Sequence, residues 1–501
     1  MNNKKIIIKN VFSSIIYQVV TIIYGFIVPI LIIKKFGSET NGLISSIAQF
    51  LAYISLLEGG IGPVIKNALY KPLVKKDKKQ IEVILSKANR FFKNISYVFL
   101  IYILILCFVY PKFINNNFST AYTISLILII SVNYFSEYFL GMSYTLFLKS
   151  DQKNYVVDNL NSISYIVNLF MVIILIKLNF NIQVVKLCSA IIYIIKPIIL
   201  RLYFNKKYNY KISNNSTYKF KKQNDGLIHH IASTVQSSTD IILLTIFSDM
   251  ANISIYSVYS LVTNGIKALI VSLTNGIDAF FGKLLVSSEG EHLINKFSIY
   301  NYIFYTITTI LLSSTLILII PFISIYTQNI SDANYVIPVF AYILVFAEFM
   351  FVIRYPYSSL VYAKGYFKET RLFSIIEPLV NLLVSILLVK KLGLIGVAIG
   401  TLVSMPIRSF GFIYCGSVKI LKVKFSDSLK LIMVSFMEML LIFAFHLLIG
   451  NFLVSNYFQW LLLAVIVLFV STFFICSVNI LIFKKDFKEL ISILKVMKNE
   501  R

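Results

Sequence analysis

The stretch AKGYFKETRLFSIIEPLVNLLVSILLVKKLGLIGVAIGTLVS, residues 363–404, holds two apolar runs joined by the short hinge Lys390-Lys391-Leu392-Gly393. With the residues that follow, the runs read as spans 370–389 and 393–416. Each reaches the roughly 20 residues a helix needs to cross a hydrocarbon core about 30 Å thick. Gly393 supplies the backbone freedom that a tight turn needs. Gly396 and Gly400 form an i, i+4 stripe of small residues where a neighbouring helix can approach closely. Barrel strands would alternate over about ten residues, whereas these runs are continuous, so the spans are helical.

The same pattern fills the chain. Its 501 residues are 58% hydrophobic and only 14% charged, with a mean hydropathy of +0.80, against about 25% charged residues in an ordinary soluble domain. Fourteen spans are predicted, at 10–33, 41–65, 94–111, 120–148, 155–176, 183–204, 226–248, 252–285, 297–325, 333–363, 370–389, 393–416, 429–450 and 457–483. The opening MNNKKIIIKN leads straight into an apolar run with no small-residue cleavage site, so it reads as a retained first helix.

The net charge of +25 invites a nucleic-acid reading until the basic residues are placed. Most of the 47 fall at the N-terminus, in 66–93, in 201–222, in 484–501 and in the short loops on the same side. That bias is the positive-inside rule. It predicts a multi-pass protein of the cell membrane with both termini in the cytoplasm, and no nucleic-acid partner. Cys107, Cys188, Cys415 and Cys476 all lie in apolar segments without C-x-x-C spacing, so neither a disulfide framework nor a metal site is expected.

Outer loops are about ten residues or shorter, which leaves no room for a catalytic domain, and 66–93 and 205–225 read as the sizeable soluble stretches. Residues 485–501 place Phe487, Leu490, Ile491 and Leu494 on one face among lysines, the pattern of an interfacial helix. A faint internal repeat also runs through the chain. YFSEYF (134–139) matches VFAEFM (345–350) at an offset of 211, and IVNL (166–169) matches LVNL (379–382) at an offset of 213. The expected organisation is an all-α membrane protein with an N-terminal six-helix lobe at 1–225, a second at 226–424, two further helices at 425–484 and an amphipathic tail at 485–501.

Residues 363–404, with their A-x-G-x-x-K loop and KKxGxxGxAxGT turn, resemble the Wzx-type polysaccharide repeat-unit flippases. These belong to the MOP, or MATE-like, superfamily, with MATE multidrug exporters and peptidoglycan lipid II flippases. IIKKFGSETNGLISSIAQFLAYISLLEGGIG (32–62) resembles the first turn and second helix of the same family. The resemblance implies a V-shaped pair of six-helix bundles around a cavity, alternating access, and an undecaprenyl-pyrophosphate-linked oligosaccharide as substrate. Membrane lipid and other polysaccharide-assembly membrane proteins are the further partners it implies. No cofactor is expected, and a proton or Na⁺ gradient is left open as the source of energy.

Four basic residues lie within spans: Lys196, Lys267, Arg354 and Arg408. Acids at depth are Glu58, Glu137, Asp240, Asp278, Glu348, Glu377 and Glu438. Each charge costs about 2.5–3.5 kcal/mol at a helix centre, so each needs a partner or water. The four cations are the candidate substrate-binding residues, through the pyrophosphate. Glu348, Asp240, Asp278, Glu58 and Glu137 are the candidate coupling or cavity acids. Glu377, Glu438 and His446 read as structural.

Glu348 and Arg354 lie six residues apart, about 120° in direction and about 9 Å along a helix axis, so their partners must lie elsewhere. Pro356 cannot donate to the carbonyl of Val352, which predicts a kink beside Arg354. Lys267 is the expected neutraliser of Glu348. Ser233, Thr234, Gln236, Ser237, Ser238, Thr239 and Asp240 give span seven a wet face, and Tyr256, Tyr259, Tyr355 and Tyr357 are candidate platforms for sugars.

Two other functions are compatible with a polytopic chain. A MATE-type exporter is one, although span 10–33 lacks the acid that branch usually carries there. A membrane polysaccharide polymerase or glycosyltransferase is the other, and it needs a long catalytic loop that this chain does not have.

Overall fold

At Gly37 the backbone turns with φ 89°, and at Gly393 with φ 54°, a region open to glycine because it has no Cβ. Both close tight connections between long helices: Asn3–Phe36 gives way to Ser38–Ala52, and Phe367–Leu392 to Leu394–Tyr414. The computed structural model describes residues 3–114, 118–212, 218, 220, 224–274, 280, 281, 284, 285, 290–450 and 452–499. Among them every regular element is helical. Among the described residues thirteen helices are long and apolar enough to cross a membrane, so the chain is a multi-pass membrane protein. The expected seventh span forms as Asn224–Phe247 and falls outside that set, because the polar run from Ser233 to Asp240 lowers its hydropathy.

The breaks lie where backbone chemistry puts them. Gly59 and Gly60 are both left-handed, with φ 58° and 67°, and they split the expected span 41–65 between Ile54–Glu58 and Ile61–Lys75. The expected span 333–363 is two helices, Pro338–Val352 and Tyr355–Lys364, broken immediately before Pro356. Carbonyls freed near this break find side chains: Tyr305 Oη donates to Ile353 at 2.5 Å, and Ser409 Oγ to Met350 at 2.5 Å. At membrane depth such carbonyls must be satisfied internally.

Two expectations are corrected. Residues 66–93 are not a loop, because Ile61–Lys75 and the 36-residue helix Lys78–Phe113 cover nearly all of them. Asp77 caps the latter, its carboxylate accepting from the Gln80 N–H at 3.0 Å. Span 252–285 is helical as Met250–Ser272, closed by a turn at Leu273 and Thr274. Lys267 therefore sits near that helix's C-terminal end.

The chain divides into two compact units, Met1–Ser257 and Val258–Arg501. In the first, Asn3–Phe36 packs along Asn154–Lys177, and Thr120–Ser136 along Ile182–Tyr208. A Cβ on Gly42 would stand 1.7 Å from the Met250 carbonyl oxygen, so only glycine permits this crossing. In the second unit Glu291–Tyr326 is the central helix, packed by Pro338–Val352, Phe425–Ile449 and Tyr457–Ile482. Phe367–Leu392 and Leu394–Tyr414 form a tight antiparallel pair. Cβ atoms on Gly396 and Gly400 would reach to 2.6 Å from the Leu388 backbone and 2.0 Å from Ser385 Oγ, so the small-residue stripe does hold these helices together. The helix Lys484–Asn499 follows the last span and is tied back by Ser298 Oγ donating to Asp486 at 2.5 Å.

Candidate functional site

In the second unit five charged side chains collect around the break at Arg354. Lys267 Nζ lies 2.7 Å from Glu348 Oε1, with the two side chains 24% and 15% exposed. Arg354 Nη1 reaches Glu377 Oε1 at 2.9 Å, and Arg408 Nη1 reaches Glu377 Oε2 at 3.2 Å. Glu377 is fully buried and both arginines nearly so. Phe351 joins the two groups: its ring centroid lies 4.5 Å from Lys267 Nζ and 4.0 Å from the Arg354 guanidinium carbon.

Three cations and two carboxylates leave one net positive charge. The two halves of the cluster differ in access. The arginine half is closed and saturates one carboxylate from both sides. The lysine half is open, and an open ion pair amid apolar spans faces water or a bound group, because lipid contact is costly. Among the described residues Glu348 Oε2 has no hydrogen-bond partner.

The first unit holds a second pair, Lys196 Nζ to Glu137 Oε2 at 2.8 Å. Glu137 opens a π-helical turn, Glu137–Gly141, a geometry frequent at functional sites. Beside Lys196 is a polar pocket of about 100 Å³ lined by Asn133, Asn161, Ser164, Tyr165, Tyr193 and Lys196. Glu58 accepts from Tyr138 Oη at 3.2 Å, and Asp240 from Tyr256 Oη at 2.8 Å. The His230 ring lies 2.9 Å from the Ser55 carbonyl. Asp278 lies outside the described residues. Among those described, no group of three or more His, Cys, Asp and Glu side chains is placed to hold a metal ion.

The sequence reading missed Glu377 as the common partner of Arg354 and Arg408. Two of the tyrosines read as sugar platforms are buried inside the fold. Tyr259 donates to the Tyr335 carbonyl and Tyr357 accepts from Asn301, both fully buried. The faint repeat has a counterpart in bonding. Ser189 donates to Asn168 at 2.7 Å in the first unit, and Asn381 donates to Thr401 at 2.9 Å in the second, with offsets of 213 between the asparagines and 212 between the hydroxyl residues.

The sequence matches no protein-family model and no curated protein. The fold is similar to solved structures of MOP superfamily transporters. "Lipid II flippase MurJ, inward closed conformation" superposes with a TM-score of 0.67 at 15% identity, covering 94% of this chain and 99% of that one. An inward-facing multidrug resistance MATE family transporter gives 0.60 at 12%, covering 80% and 94%. A MOP superfamily transporter from Pyrococcus furiosus, described as having a binding pocket of reversed polarity, gives 0.57 at 13%, covering 84% and 97%. The fold is thus the MOP-type integral membrane fold.

Proposed function

We propose that the chain is a flippase of the Wzx type. It carries an undecaprenyl-pyrophosphate-linked oligosaccharide across the cytoplasmic membrane by alternating access, supplying surface polysaccharide assembly, and it is a carrier and not an enzyme. The observation that carries this reading is the extent of the fold likeness. The lipid II flippase spans nearly the whole chain, whereas the MATE transporter leaves a fifth of it unmatched. The excess is about the size of the two C-terminal helices and tail.

The charges fit the same cargo. Lys267 is the phosphate-seeking group, since its pair with Glu348 is open and a pyrophosphate can replace that carboxylate. Glu348 neutralises Lys267 when no cargo is bound, so loaded and empty states differ in stability, as ligand-driven switching requires. Arg354, held by Glu377 beside the same Phe351 ring, and Arg408 add the positive field that draws the headgroup in. Asp240, Glu58, Glu137 and Asp278 are the acids left for coupling to a proton or Na⁺ gradient. Both termini face the cytoplasm, and membrane lipid and other assembly proteins are the further partners.

A MATE-like multidrug exporter is the second reading, favoured by the fold likeness. Against it, Asn3–Phe36 contains no Asp or Glu. Deleting the gene and measuring surface polysaccharide separates the two. Loss of polysaccharide with unchanged drug tolerance supports the flippase. Normal polysaccharide with raised drug sensitivity supports the exporter.

A further inference from the structure

We propose that the polar pocket beside Lys196 is a sugar subsite that receives the hydroxyl edge of one pyranose of the cargo. This deepens the flippase reading and rests on it for the identity of the cargo. The pocket lies wholly within the first unit. Asn133 comes from Thr120–Ser136, while Asn161, Ser164 and Tyr165 come from Asn154–Lys177. Tyr193 and Lys196 come from Ile182–Tyr208.

Its groups are the ones a sugar needs. Among the described residues the side-chain amides of Asn133 and Asn161 make no hydrogen bond within the protein, although both are partly buried. An amide offers a donor and an acceptor side by side, which matches neighbouring hydroxyls. Ser164 donates to the Leu160 carbonyl at 2.8 Å, which leaves its oxygen free to accept. The Tyr165 ring is held by stacking on Tyr24, with centroids 4.8 Å apart, and on Tyr17 at 6.0 Å. Lys196 lines the pocket with its charge already matched by Glu137, which suits a neutral ligand.

Size limits what enters. The pocket is small, about 100 Å³. That admits one edge of a ring and its hydroxyls, not a whole oligosaccharide.

The second unit shows that this opening is not forced by the fold. At offsets of 211 to 213, Asn133, Asn161, Ser164 and Lys196 correspond to Leu344, Ser374, Glu377 and Arg408. All four are buried, and the last two are ion-paired. The same place is filled and self-satisfied in one unit and left open with free amides in the other.

The chain contains a single tryptophan, Trp460, so the pocket can be read by fluorescence. In a Trp460→Phe, Tyr165→Trp protein, glucose, galactose, N-acetylglucosamine, N-acetylgalactosamine and rhamnose are titrated singly, with sorbitol as control. At least one sugar is expected to shift the emission saturably. Asn161→Ala or Asn133→Ala in that background is expected to weaken it by roughly tenfold, the loss of one hydrogen bond. If the tryptophan variant does not fold, the wild-type chain is heated with the same sugars. A rise in Tm that Asn161→Ala abolishes supports the subsite.

Responses to all five sugars no different from sorbitol, in whichever assay is used, overturn it. The outcome is separable from the flippase reading. Gene deletion that removes surface polysaccharide, with no sugar response, sinks the subsite alone. A saturable response in a chain whose deletion leaves polysaccharide intact supports the subsite and sinks the flippase reading.

Discussion

Lys267 Nζ stands 2.7 Å from Glu348 Oε1, and both side chains retain exposure. Their helices, Met250–Ser272 and Pro338–Val352, belong to separate apolar segments, so this bond joins distant parts of the chain through two charges that lipid would not tolerate. Lys267→Ala is expected to reduce surface polysaccharide by at least about tenfold at unchanged membrane abundance, and Lys267→Arg to keep part of it. Disappearance of the alanine protein from the membrane would mean that the pair only supports the fold.

Glu377 presents the opposite case. It is fully buried and holds Arg354 and Arg408 with separate oxygens. Glu377→Gln leaves two buried guanidiniums without a carboxylate, at a cost of about 3–5 kcal/mol. The expected result is loss of monodisperse protein on size-exclusion chromatography, with a lowered Tm in whatever survives. Arg408→Gln is expected to be milder, because Glu377 keeps Arg354.

The helix pair Phe367–Leu392 and Leu394–Tyr414 depends on the absence of a Cβ at Gly400. Gly400→Ala is expected to destabilise by about 1–3 kcal/mol through overpacking. Adding Ser385→Gly, which removes the hydroxyl the new methyl meets, is expected to restore part of the Tm. An additive loss in the double variant would locate the strain elsewhere.

The proposed topology, with the basic loops inside, sets the side of each loop. In a cysteine-free background, Gln328→Cys is expected to react with an impermeant thiol reagent in intact cells, and Lys79→Cys only after lysis. The reverse pattern would invert the topology and with it the direction of transport.

Much of this architecture is local and therefore readable in the sequence. Gly37 and Gly393 announce turns because the adjoining apolar runs have to reverse there, and Pro356 announces the break beside Arg354 because it lacks an N–H. The two helices that cover 66–93 were hidden by lysines, which mark a loop by charge yet sit well on a helix that leaves the membrane. The role of Glu377 was hidden for another reason. Its arginines are 23 and 31 residues away, and which carboxylate a buried arginine chooses is decided by helix packing that no periodicity reveals. The pocket beside Lys196 is likewise invisible until three helices are brought together.

If this chain is the proposed flippase, it moves a lipid-linked oligosaccharide and Lys267 engages the pyrophosphate. The direct measurement is reconstitution into liposomes carrying an undecaprenyl-pyrophosphate-linked oligosaccharide, following how much of it becomes accessible to an external lectin. The account predicts that wild-type protein raises the accessible fraction above that of protein-free liposomes, and that Lys267→Ala, reconstituted in equal amount, does not. Equal accessibility with wild-type protein, with Lys267→Ala and with no protein would contradict it.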